Sequence, residues 1–454
     1  MPLVSSPFSF LAPLRNLPFV GWLFLYCALL WGTFGALLGA VTPNLRAQMG
    51  VSFQDVGWLM AIWSGGSVIG SLLGGAVAKR WPPRKLLMVY TVLVVVSLVG
   101  VLLASTFFWL AVFMVSIATF ETALFTLGHG LLAELSDDPE QRTRIIGLVD
   151  VGYSLGTVIS PLLVTGALWL STSWRAPYAV FGVLLLGMLF MSLQTRRLST
   201  VQFRGQGGPV SVAPPTPART MAPKHAEVEA AAEPDAGARQ PMASAVAHGY
   251  LGLLRQPVVR WVVLAGIFAG LCEWGQYFWF VSYAHETLDV NEQSARLVLG
   301  FLMAGMVTGR IWQAFFPSRF SMEQKIQGLG VLAAVSLWAL WLTPAGVPWA
   351  WLALCNFGAG LGVSVAFPIL LGIALRAFAH DAPRLSALLM IAIALGSQVA
   401  GVLMGGLAQW LGLRVAYGTL ALASAAFVYC VWRLVRQVRF APADVGALER
   451  SAAG

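Results

Sequence analysis

The strongest constraint on this chain is a length that keeps returning. Runs of about twenty apolar residues, separated by short polar or Gly/Pro-containing breaks, recur along the whole sequence. A helix needs a run of that size to cross the ~30 Å hydrocarbon core of a bilayer. Only 10% of the 454 residues are charged, against about 25% in a soluble protein, and the mean hydropathy is +0.77. The chain is therefore expected to be a polytopic membrane protein. Helices are expected over strands, because unpaired backbone groups cannot face lipid and a barrel would show short alternating segments.

Twelve spans are predicted, at roughly 19–41, 55–78, 86–106, 109–132, 145–170, 176–194, 259–283, 294–316, 327–343, 348–376, 385–408 and 412–435. The first, "FVGWLFLYCALLWGTFGALLGAV", is longer than the apolar core of a signal peptide and is expected to remain as a span. Between spans 6 and 7 the pattern stops. Residues 198–256, with "GGPVSVAPPTPARTMAPKHAEVEAAAEPDAGARQ" inside them, are rich in Pro, Ala and Gly and have no apolar period, which predicts a disordered linker. The expected division is a six-helix bundle over 1–197, the linker over 198–256, a second six-helix bundle over 257–438 and a tail over 439–454.

Charge predicts the orientation. With the N-terminus in the cytoplasm, 24 of the 28 Lys and Arg fall inside, and only Arg46, Arg175, Arg296 and Arg414 fall outside. The tail and linker are then cytoplasmic, and a multi-pass protein of a bacterial inner membrane is expected. The net charge of +9 does not point to nucleic acid, since the basic residues lie between apolar runs and not on one soluble face. Cys27, Cys272, Cys355 and Cys430 all fall in apolar runs without a C-x-x-C pair, so buried free thiols are expected, and no metal or other cofactor is predicted. Neither H-E-x-x-H nor G-x-x-x-x-G-K-[ST] occurs, and the G-x-S-x-G match "GYSLG" at 152–156 lies inside an apolar span and not at the strand-to-helix turn a nucleophile elbow needs, which argues against an enzyme and against an ATP-driven pump within this chain.

Six spans, a long inner loop and six more spans is the layout of transporters whose halves rock about a central site. Receptors and membrane-embedded transferases also have many spans, so the polar residues inside the membrane must decide. An ionised carboxylate at the bilayer centre costs about 2.5–3.5 kcal/mol on insertion scales. Glu121, in "TFETALFTLGHG", lies near the middle of span 4 with no basic residue at its depth in the first six spans. Such a carboxyl is expected to hold a proton when dry and to lose it when wet, which is how a proton crosses an alternating cavity; the alternative is a neutral interhelical hydrogen-bonder.

Span 7 reads "GLCEWGQYFWFVSY", and Glu273, Gln276, Tyr277 and Phe280 share one helical face with Trp274 beside it. A carboxylate and an amide among aromatic planes suit a sugar-like or amphipathic solute, although Trp279 and Tyr283 equally fit an interfacial aromatic belt. Asn356 on span 10 and Gln398 on span 11 are further candidate contacts. Asp150, Tyr153 and His129 form a possible secondary polar site, with Ser154 and Thr157 on the Asp150 face. Arg310 is expected to snorkel to the inner surface.

Several short strings, in order, resemble the major facilitator superfamily and its fucose/proton symporter-like branch: "LLWG" on span 1, "GGAVAKRW" after span 2, "FETA" on span 4, "CEWGQYFWFVSY" on span 7 and "FPILLGI" on span 10. The resemblance implies the twelve-helix fold, a proton-coupled symporter and a coupling carboxylate at Glu121. One departure stands out: Gly39 falls where the sugar symporters carry a second span-1 acid. The substrate is then less hydroxylated than fucose or differently held. The expected partners are a small solute, protons and the lipid bilayer, with the chain working as a monomer. An uncoupled facilitator or an exporter of hydrophobic compounds is the second reading, and a solute-sensing receptor the third.

Overall fold

A computed structural model describes residues 18–77, 80–133, 139–195, 250–315, 320–378 and 381–440. Among the described residues every regular element is helical: α1 (Phe19–Met49), α2 (Phe53–Val77), α3 (Pro83–Leu103), α4 (Phe107–Ala133), α5 (Pro139–Leu170), α6 (Arg175–Gln194), α7 (Pro257–Leu288), α8 (Glu292–Phe315), α9 (Met322–Leu342), α10 (Trp349–Val363), α11 (Ala366–Ala377), α12 (Ala382–Leu411) and α13 (Leu413–Phe440). They make twelve spans long and apolar enough to cross a membrane, as expected, because α10 and α11 are the halves of a broken tenth span. The break falls at Ser364 and Val365, three residues before Pro368, whose ring cannot continue an unbroken hydrogen-bond ladder.

Local chemistry sets where helices stop. Gly50, at φ 65°, and Asp289, at φ 59°, end α1 and α7 in the left-handed conformation that closes a helix C-terminus. Ser321 and Gln324 form a reciprocal capping box at the start of α9. Residues 250–255 are already helical, and Leu253 packs into the second half's core, so that half begins a few residues before 257. The rest of the expected linker lies outside the described residues.

Within each half the helices pack through glycines. Gly66, Gly70 and Gly74 of α2 lie against backbone of α4 around Val115, Thr119 and Ala123, an approach that a side chain on α2 would block. All four cysteines are buried and free, as expected. Lipid takes the remaining apolar surface: Leu72, Leu103 and Leu170 project outward, and the exposed Trp169 and Trp410 sit at helix ends, where interfacial aromatics belong.

The chain leaves α6 and enters α7 at one end of the bundle, called here the linker end; α1 finishes and α2 begins at the far end. The contacts described between the halves gather toward the far end. There α1 packs on α7, α2 on α12 and α5 on α8. A Cβ at Gly39 would overlap the Tyr277 carbonyl, and one at Gly401 would meet the Gly57 carbonyl oxygen at 2.7 Å. Arg46 reaches Glu286 across the halves at 2.7 Å and covers the Phe53 ring. Arg296 donates to the Ala40 carbonyl and to Asn44, and is held from behind by Glu292.

The four arginines expected outside all lie at this far end, and each is engaged: Arg175 donates to the Ala104 carbonyl and Arg414 to that of Thr343. Arg46 and Glu286 are both partly exposed, so their pair is worth about 0–1 kcal/mol. Arg46→Glu is expected to lower Tm by about 1–3 °C in detergent, and adding Glu286→Arg to recover most of it. An unchanged Tm in the single variant would show that the pair does not hold the halves.

Candidate functional site

At mid-depth the packed far end gives way to a set of polar and aromatic groups that keep partial exposure on helices facing each other. Glu273 of α7 lies sixteen residues into its helix, roughly 24 Å along the axis. Its Oε1 stands 4.0 Å from Nη2 of Arg310 on α8. The other guanidinium nitrogen of Arg310, Nη1, crosses to the first half and donates to Ser154 Oγ of α5 at 2.9 Å. Arg310 thus turns inward instead of snorkelling, because an acceptor on each side offers a shorter route out of the hydrocarbon than the inner surface does.

Tyr277, one turn from Glu273, donates to Met306 Sδ at 3.3 Å and lies against Tyr153 and Thr157 of α5. Aromatic rings line the space. From the first half, Trp31 sits 4.1 Å from Phe125 and 4.8 Å from Tyr153; Phe125 in turn stands edge-on to His129. From the second, Trp274 sits 5.3 Å from Tyr277 and reaches across to Trp63 at 5.4 Å. Trp31, Phe125, Tyr153, Trp274, Glu273 and Arg310 are all half-buried, and the partly exposed space they border between the halves is called here the chamber.

Glu121 lies in the first half, on α4, almost fully buried at 4% exposure. Its Oε2 has no hydrogen-bond partner, and among the described residues no ion pair includes it. The Cys27 thiol of α1 is its near neighbour. Phe125, one turn along α4, packs against Trp31 with the rings tilted, so the carboxyl sits next to the chamber but is dry in this conformation. It is turned inward, and among the described residues no fixed cation faces it.

Other candidates sit elsewhere. Gln276 accepts from the Tyr417 hydroxyl of α13, inside the second half, with its Nε2 unpartnered. Tyr417 stacks on Tyr283 with ring centroids 3.8 Å apart, and the Tyr283 hydroxyl donates to the Leu340 carbonyl. Trp279 donates to the Ala400 carbonyl. Neither Trp279 nor Tyr283 is an interfacial anchor; both are fully buried, as is Phe280. Asn356 is buried on α10, donating to Leu352 O with its own Oδ1 unpartnered. Gln398 is half-buried on α12. His129 contacts the Phe125 carbonyl of its own helix. Asp150 lies on α5, and its side chain is outside the described residues, as are those of Arg142 and Arg144. The structure thus brings together Glu273, Tyr277, Trp274 and Tyr153, adds Arg310, and leaves Gln276, Phe280 and Asn356 in the packing of the second half.

Two six-span halves meeting around a polar mid-membrane chamber define a membrane transporter and not an enzyme. The chain belongs to the Major Facilitator Superfamily, whose family model matches residues 23–379. Its fold is shared by the nucleoside transporter NupG, at 12% identity and a TM-score of 0.67, covering 92% of this chain and 98% of that one. A bacterial homologue of the human lysosomal transporter Spinster, inward-facing and unoccupied, aligns at 16% identity and a TM-score of 0.63, covering 96% and 97%. The peptide transporter POT in complex with sulfate aligns at 15% identity and a TM-score of 0.65, covering 93% and 95%. No curated protein sequence matches the chain.

Proposed function

We propose that this transporter moves a small polar or amphipathic solute by alternating access, coupled to protons through Glu121, in a bacterial inner membrane with its N-terminus in the cytoplasm. The observation that carries the reading is the state of Glu121: mid-span, buried, with one carboxyl oxygen unpartnered and, among the described residues, no cation paired with it. A carboxyl so placed is tolerated when neutral and must be wetted before it can ionise. Opening the chamber to either side supplies that water. The solute binds against Glu273, Tyr277 and Trp274, facing Tyr153 of the other half. The string "FETA" around Glu121 and its likeness to the fucose/proton symporter-like branch point the same way, and the fold neighbours named for nucleosides and peptides fit a polar cargo.

The second reading is an uncoupled facilitator or exporter, favoured by the apolar first span. At Gly39 even a Cβ has no room beside the Tyr277 carbonyl, so no acid can stand there in this conformation. Purified protein in liposomes with a pH-sensitive dye separates the two. Sugars, organic acids and amphipathic drugs are first screened for thermal stabilisation, since a ligand stabilises only the state that binds it. The stabilising solutes are then added outside. Alkalinisation of the outer medium, absent from protein-free liposomes, is expected; solute entry without proton movement would leave the facilitator as the surviving reading.

A further inference from the structure

Arg310 has donors to spare. A guanidinium carries five N–H groups in a planar fork suited to an oxyanion. Here one nitrogen donates to Ser154 Oγ at 2.9 Å, and the nearest Glu273 oxygen is 4.0 Å away, beyond hydrogen-bonding range. Among the described residues the other arginine–carboxylate pairs close fully: Arg46–Glu286 at 2.7 Å, Arg376–Glu323 at 2.8 Å, Arg384–Asp381 at 2.7 Å, and Arg296 with Glu292. The Arg310 side chain keeps 36% exposure although it lies between the halves. A cation in the membrane interior that is neither fully paired nor carried to the surface is costly, and in such places an ionisable group marks a pathway for a charged cargo.

We infer that Arg310 recognises an oxyanion on the transported solute, a carboxylate carried by a flat apolar body, and that Glu273 is the internal anion with which the solute competes. This rests on the proposed transport function. The fork of Arg310 takes the carboxylate from the side opposite Ser154. Trp31 and Tyr153 of one half and Trp274 and Tyr277 of the other supply ring faces for the apolar body. Nearby charge supports this pairing. With Glu121 neutral, Arg310 and Glu273 cancel, so an incoming carboxylate adds one negative charge to a poorly solvated chamber. A proton taken from bulk water onto Glu273 restores neutrality and also releases Arg310, while Glu121 keeps the proton it already holds. Among the described residues the groups that act on Glu273 are Arg310 from α8 and Tyr277 on its own helix, and Tyr277 in turn lies against Tyr153 of α5. The anion then travels with a proton.

The test uses the full-length purified protein and matched probes: acetate, hexanoate, benzoate and phenylacetate, each beside its uncharged amide. At least one carboxylate is expected to raise Tm while its amide does not. Arg310→Gln should weaken that carboxylate's binding at least tenfold, Arg310→Lys less so, and Glu273→Gln should tighten it about threefold by removing the competitor. A pair that only braces the helices predicts that the Arg310 and Glu273 variants lose binding together. If Arg310→Gln does not fold, the opposite responses of Arg310→Lys and Glu273→Gln still decide. No stabilisation by any carboxylate, equal stabilisation by the amides, or undiminished binding in the Arg310 variants would overturn the inference. A neutral solute that moves with protons would also overturn it while sparing the coupling role of Glu121. A carboxylate bound at Arg310 but transported without protons would do the reverse.

Discussion

Glu121→Gln is expected to reduce uphill accumulation to simple equilibration while leaving solute exchange between loaded and unloaded liposomes intact. A gradient of one pH unit stores about 1.4 kcal/mol per proton, enough to concentrate a co-transported solute about tenfold. Glutamine has the size and neutrality of the protonated acid, so it should occupy the same buried site on α4 beside Cys27 without new strain. What it cannot do is release a proton when the chamber wets. Exchange needs only the loaded protein to rock, and the permanently neutral side chain imitates the loaded form. Glu121→Asp keeps an exchangeable proton on a shorter arm and should retain accumulation at a reduced rate. The measurements are solute uptake against an imposed pH gradient and counterflow at equal pH. Full accumulation in the glutamine variant would remove Glu121 from the coupling and make Glu273 the next carboxyl to substitute.

The fold was legible because length and hydropathy decide it. Each apolar run has the one structural solution open to it in a bilayer, and the break at Ser364 is foreshadowed by Pro368. Glu121 and Glu273 were legible for a related reason: a carboxylate in an apolar run is conspicuous in one dimension. Partners across helices are not. Arg310 lies toward the end of its span, and only the placement of α5 and α7 beside α8 shows that acceptors await it inside.

The face shared by Glu273, Gln276, Tyr277 and Phe280 divides in three dimensions. Helix α7 packs on α1, α8, α12 and α13, so nearly every side of it is buried and periodicity cannot say which neighbour receives which residue. Glu273 and Tyr277 turn to the chamber, whereas Gln276 turns to Tyr417. Gly39 was noticed as a missing acid. What it provides, contact between the backbones of α1 and α7, has no one-dimensional signature.

The same kind of contact, between α2 and α12, yields the second large effect. Gly57, Gly401 and Gly405 bring the two backbones together at the far end: a Cβ at Gly57 would overlap the Gly401 carbonyl oxygen, and one at Gly405 would meet the Phe53 carbonyl oxygen at 2.8 Å. The clash is with backbone, so no rotamer relieves it, and the halves must part or the helices bend. Overpacking of this kind costs about 1–3 kcal/mol, and here the cost falls on the far-end-closed conformation alone. Gly57→Leu is therefore expected to shift the population about tenfold or more toward the conformation open at the far end. Transport should be nearly lost, because a carrier that cannot close one end cannot alternate. Spin labels on the exposed far-end positions Ser171 and Ala345, one in each half, should report a longer distance in the variant. Gly406→Leu is the control: it sits next to Gly405 on α12, but a Cβ there meets nothing within 4 Å, and transport and distance should both stay as in the parent. If Gly57→Leu transports normally with an unchanged distance, the close approach of α2 and α12 is no part of the cycle and the far end must be closed by the arginine contacts alone.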